Sequence, residues 1–138
     1  MFQKILLAQD GSDHANKAAE YAVELAKKFN GSIDMVYVVD GNKAKSDVLH
    51  SADQYEIKKK REEKMAKAKE MAQVENIPCR THILHGDPGP VVVEFANEHD
   101  YDCVVVGSRG LNPLKTIFVG SVSRKIAQQA ECPVLIVK

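Results

Sequence analysis

Cys103-Val104-Val105-Val106-Gly107-Ser108-Arg109-Gly110 is the stretch on which the fold turns. Its apolar run is β-branched and shows no alternation of polar and apolar positions, the mark of a strand covered on both faces. Glycines follow at once, so the chain leaves this strand through a tight connection. Upstream, Cys79 to Leu84 is another strand candidate, and Gly86-Asp87-Pro88-Gly89-Pro90 turns the chain, with both prolines fitting the first turn of a helix. Val91, Val92, Phe95 and Ala96 give that helix its buried stripe. Downstream, Val122, Ile126 and Ala130 mark an amphipathic helix, and Pro133-Val134-Leu135-Ile136-Val137 is the last strand-like run.

The N-terminal half repeats the pattern. Ile5-Leu6-Leu7-Ala8 is an apolar run that stops at Asp10-Gly11-Ser12, residues that favour turns and helix caps. Ala15, Ala18, Ala19, Ala22, Leu25, Ala26 and Phe29 then recur at helical spacing until Asn30-Gly31, which tolerate a left-handed stop. Ile33 to Val39 is the second strand, closed by the turn chemistry of Asp40-Gly41-Asn42, and Gly41 to about His50 reads as a polar, mobile connection. A charged helix follows, the most solvent-exposed of the set, with Ala52, Tyr55, Met65, Ala68 and Ala72 on one side and Asn76-Ile77-Pro78 at its end.

Strands separated by helices from end to end predict an α/β fold, a parallel sheet with helices on both faces and right-handed crossovers. If three strands wind outward and the fourth returns beside the first, the sheet is doubly wound, in three layers, with order 3-2-1-4-5. Ligands then belong in the crevice above the carboxyl ends of strands one and four, just after Ala8 and just after Val106.

Length and composition agree with one domain over residues 1–138: 44% of the chain is hydrophobic and 28% charged. Nineteen basic side chains balance nineteen acidic ones, so no global field draws the chain to nucleic acid or anionic membrane, and any anion site must be local. No apolar run approaches the roughly 18 residues of a membrane span, and Met1-Phe2-Gln3-Lys4 lacks the pattern of a signal peptide, which points to the cytoplasm. Cys79, Cys103 and Cys132 stand singly, fitting neither a disulfide framework nor a metal knuckle, and Cys103 reads as a buried reduced thiol.

The chemistry-bearing constellation is Gly107-Ser108-Arg109-Gly110, then the nine residues Leu111 to Val119, then Gly120-Ser121-Val122-Ser123 opening a helix. Gly107 and Gly110 would let backbone amides approach an anion, and Gly120-Ser121 would put free amides and a hydroxyl at a helix N-terminus, as a phosphate cradle needs. The stretch is neither a Walker A loop nor the GxGxxG dinucleotide fingerprint. The same glycines also suit a tight turn and a helix cap by Ser121 or Ser123. Asp10 is open in the same way: it could hold a ribose, a base or a metal ion, or simply form an Asp-Gly turn.

Ile5 to Ser12, the Gly86-Asp87-Pro88 turn, and above all Gly107-x2-Gly110-x9-Gly120-Ser121 together resemble the universal stress protein family, in its ATP-binding subgroup, over the whole chain. The resemblance implies an adenine nucleotide alpha hydrolase-like fold holding ATP with Mg²⁺. It implies that Gly107, Arg109, Gly110, Gly120, Ser121, Val122 and Ser123 meet ribose and phosphates, and that Asp10 and Val38 hold the adenosine end; Ala8, Gln9 and Val106 complete the expected set. A cytoplasmic, nucleotide-dependent stress sensor or switch follows, homodimeric through Val134 to Val137, whose apolar, uncharged edge agrees. Its alternatives are a slow ATPase and a nucleotide-free interaction dimer. No residue is obviously placed to activate a water, so none is assigned to catalysis and the metal ligands are left open.

Three other signals are weaker. His82 and His85 would point to opposite faces of a strand and could not share one ion. Glu56, Glu62 and Glu63 interrupt the Lys58 to Lys64 run, which lacks stacking aromatics, so a solvated helix face is preferred to a nucleic-acid patch. Ser12 and His14 have no nucleophile elbow around them, and Ser12 reads as the cap of the first helix.

Overall fold

Five segments pair side by side and all in parallel: β1 (Lys4–Ala8), β2 (Ser32–Val39), β3 (Cys79–His85), β4 (Cys103–Gly107) and β5 (Val134–Val137), in the order β3-β2-β1-β4-β5. The computed structural model describes residues 1–50, 53–109 and 120–138. Ile5 lies opposite both Ile33 and Cys103, Leu7 opposite Met35 and Val105, and Val104 opposite Val134. The anticipated doubly wound sheet is therefore present. All of β4 is buried, as its unbroken apolar run requires.

The helices are α1 (Asp13–Phe29), α2 (Gly41–His50), α3 (Gln54–Val74), α4 (Pro88–Glu98) and α5 (Ser121–Gln129). Because successive strand side chains alternate faces, the strands feed two cores. Ile5, Leu7, Met35, Tyr37 and Val105 pack with Ala18, Ala22 and Ala26 of α1 and Met65, Ala68 and Ala72 of α3. Leu6, Val36, Val38, Val104 and Val106 pack with Val92, Val93 and Ala96 of α4 and Ile126 of α5. The alanine stripe of α1 lets its backbone come close to the central strands, so that its N-terminus abuts the end of β4. Ser12 caps α1 by accepting a hydrogen bond from Ala15 N at 3.1 Å, and Asn30 ends it with φ 55°.

Three expectations need correction. Gly41–His50 is a helix, not a polar connection, because Asp40 acts as its cap: Oδ1 accepts from Lys43 N at 2.8 Å and the carbonyl from Ala44 N at 2.9 Å. Tyr55 is 75% exposed, and the buried stripe of α3 begins instead at Ile57, which stands two turns before Met65 on the same face. Ala52 lies outside the described residues. Phe29, 42% exposed, packs its ring 5.4 Å from that of Phe2 rather than entering the core, while Val23 is buried in its stead. Among the described residues no helix is long and apolar enough to cross a membrane.

Candidate functional site

Where the winding reverses between β1 and β4, their carboxyl ends diverge and open a cleft of about 590 Å³, within the size range of small-molecule sites. Ala8, Gln9, Asp10, Val38, Val106, Gly107, Arg109, Gly120, Ser121, Val122 and Ser123 all line it. Gly110 lies outside the described residues, as does the stretch Leu111 to Val119.

One wall is built on Ser108, whose N–H donates to Val137 O at 2.8 Å and so continues the β4-β5 pairing past Gly107. Its carbonyl accepts from Gly120 N at 2.6 Å and from Ser123 Oγ at 3.4 Å. That oxygen ties the end of β4 to the start of α5. The single Ser123 hydroxyl hydrogen is shared between that oxygen and Gly120 O, the nearer at 3.0 Å, and this hydroxyl does not serve as the helix cap. Gly120 occupies the cap position without a side-chain hydrogen bond, leaving the first amides of α5 at the cleft without intrahelical partners. Such a terminus suits an anion.

Gly107 also has a packing reason that the sequence does not show. A Cβ there would lie 2.8 Å from both the carbonyl carbon and oxygen of His14, so glycine lets β4 end against the first turn of α1. At Gly120 a Cβ would come 3.1 Å from Ser108 O, a tight fit against the same tie.

The opposite wall is set by Gln9 and Asp10. Gln9 is buried, and its side-chain oxygen accepts from Asp10 N at 3.0 Å and Gly11 N at 2.8 Å while Nε2 donates to Asn16 at 3.1 Å. The Gln9 side chain thus splints the turn into α1. Asp10 Oδ1 accepts from Ser12 N at 2.9 Å, which realises its turn-forming role, and the residue lines the cleft as well. Gly11 beside it takes φ 84°.

Sequence reasoning missed the α2 and α3 rim of this cleft, made by Asp40, Asn42, Lys43, Ser46, Asp47 and Lys64. Asp47 is held there by Arg61, 2.9 Å away, in a largely buried ion pair. Lys64 Nζ donates to the hydroxyl of the fully buried Tyr37 at 3.3 Å. Burial pulls the Lys43 ammonium below the usual lysine value, and Lys64 adds to this, against the opposing pull of Asp10, Asp40 and Asp47. The available signal was Asp40 three residues before Lys43, a cap spacing that Gly41-Asn42 disguised as a turn.

The family model for the universal stress protein family matches residues 1–138. The chain belongs to the universal stress protein family. It is 34% identical over 143 aligned residues to the universal stress protein MJ0531 of Methanocaldococcus jannaschii, covering all of this chain and 83% of that one. Among solved structures, the hypothetical protein MJ0577 is similar with a TM-score of 0.86 at 25% identity, over 100% of this chain and 96% of the other. The Archaeoglobus fulgidus universal stress protein in complex with dAMP is similar with a TM-score of 0.72 at 25% identity, over 99% and 98% of the two chains.

Outside the cleft this family member also buries a carboxylate. Asp34, 4% exposed near the start of β2, accepts two hydrogen bonds from Arg80 at 3.1 Å and one from the Tyr101 hydroxyl at 2.6 Å. Burial alone would raise its carboxyl; the bonds from Tyr101 and Arg80 outweigh that and hold it below the ordinary carboxylate range. His82 Nε2 lies 3.7 Å from Asp34, and its ring packs 5.1 Å from Phe95, so this histidine belongs to the Asp34 cluster. Cys103 is buried, and burial pushes its thiol up to about 11, in keeping with a packed rather than a reactive group.

Proposed function

We propose that the cleft binds an adenine nucleotide, ATP with Mg²⁺ carried on its phosphates, and that its occupancy is the signal in a cytoplasmic stress-response switch. The observation that carries this reading is the convergence of the uncapped α5 start, the β4 end and the β2 end on one cleft. Gly107, Arg109, Gly120, Ser121, Val122 and Ser123 meet ribose and phosphates, with Gly110 assigned on its motif position alone. Asp10 and Val38 hold the adenosine end, and Ala8, Gln9 and Val106 form the floor. The Archaeoglobus fulgidus relative, whose structure contains dAMP, supports an adenine base. No residue is assigned to catalysis. Two copies pair through Val134 to Val137: β5 is an edge of the sheet, and Val134, Leu135 and Ile136 are each only partly covered.

Amide NMR spectra during an ATP titration test the site. The expected result is movement of the Val38, Gly107, Ser121 and Val122 signals together. Movement confined to α3, or no movement at millimolar ATP, would overturn the assignment.

A further inference from the structure

The carbonyls of a β-strand point alternately to its two neighbours. On β2, Val36 O accepts from Gln9 N on the β1 side at 2.9 Å, and Val39 O accepts from Gly86 N on the β3 side at 3.1 Å. Val38 O therefore faces the β1 side, at a height where β1 has already ended and its chain has turned into α1. No β1 amide reaches it at the mouth of the cleft. In this structure the acceptor is taken by the protein itself: Lys43 Nζ donates to it at 3.1 Å and lies 4.8 Å from the centroid of the Tyr37 ring.

The position is prepared by the fold. Asp40 caps α2, which places Lys43 in the first helical turn and returns its side chain over the β2 end. The charged groups around the ammonium are Asp10, Asp40, Asp47 and Lys64. Burial and the Lys64 charge disfavour the ammonium there, while the three carboxylates attract it.

We propose that Lys43 is a specificity-determining residue that occupies the purine-reading carbonyl of Val38. A 6-amino purine offers that carbonyl a donor and must displace the ammonium. A 6-oxo purine offers an acceptor, which the carbonyl repels and the ammonium receives. Lys43 thus weakens binding of adenine nucleotides and relaxes discrimination against 6-oxo ones. This rests on the adenosine end lying at Val38, as put forward above.

The test is the equilibrium affinity of nucleotide-free protein for ATP and GTP in the wild type, Lys43→Met and Lys43→Arg. Methionine keeps the stem over Tyr37 and removes the charge and the donor; arginine keeps both. Lys43→Met is expected to bind ATP roughly fivefold more tightly and GTP no better, so the ATP-to-GTP preference widens, while Lys43→Arg stays near the wild type. ATP binding that is unchanged or weaker in a folded Lys43→Met protein overturns the role of Lys43 and leaves the nucleotide site standing. Failure of all three proteins to bind ATP removes both.

Discussion

At Gly107 a missing methyl group decides how close two elements come. The space a Cβ would need is filled by the backbone of His14, and the backbone of α1 is anchored by the Ser12 cap and by its buried alanines. Gly107→Ala should therefore destabilise the fold by about 1–3 kcal/mol, because neither partner can yield without moving β4 or α1. Denaturant unfolding measures this, and an unchanged midpoint would contradict the close packing. Several of these residues declared themselves in the sequence. Ser12 before an alanine-rich stripe could be read as a cap, and the glycines after Val106 as a special connection. The reason for Gly107 was hidden, since a contact between residues 93 positions apart leaves no local pattern. Gln9 was likewise opaque: only the fold shows that its amide splints the turn into α1.

Among the elements, β1, β2, β4 and β5 were legible as apolar runs, and α1, α4 and α5 by their periodic burial. α2 was not, because it buries no residue fully and is held by its cap, the partly buried Ala44 and the Asp47–Arg61 pair. The consequence reaches the site, since α2 supplies much of one wall of the cleft. The Asp34 cluster is another such feature, joining β2, β3 and the approach to β4 through side chains far apart in sequence. Its pH dependence has a definite sign. Asp34 is lowered in the folded state, so its stabilisation is present above the ordinary carboxylate value near about 4 and is lost as pH falls through the folded value. Asp34→Asn should lower stability at neutral pH and flatten the acid side of the profile. Unfolding midpoints followed from neutral to acid pH report this, and an acid limb as steep as the wild type would contradict it.

For the whole molecule, two cores on either side of one parallel sheet leave the strand ends free to diverge where the winding reverses, and the cleft is the result. With a net charge of zero, the anion binding proposed for the cleft rests on placement, chiefly the α5 amides and the neighbouring Arg109. The most direct measurement is an equilibrium titration of nucleotide-free protein with Mg²⁺-ATP, beside the variant Gly120→Val checked for a cooperative melt. Saturation is expected at about one nucleotide per chain, with a dissociation constant below about 1 mM. Binding at least about tenfold weaker is expected once a branched side chain crowds the Ser108 carbonyl at the α5 start. No uptake at millimolar ATP, or equal affinity in the folded variant, would contradict the proposed site.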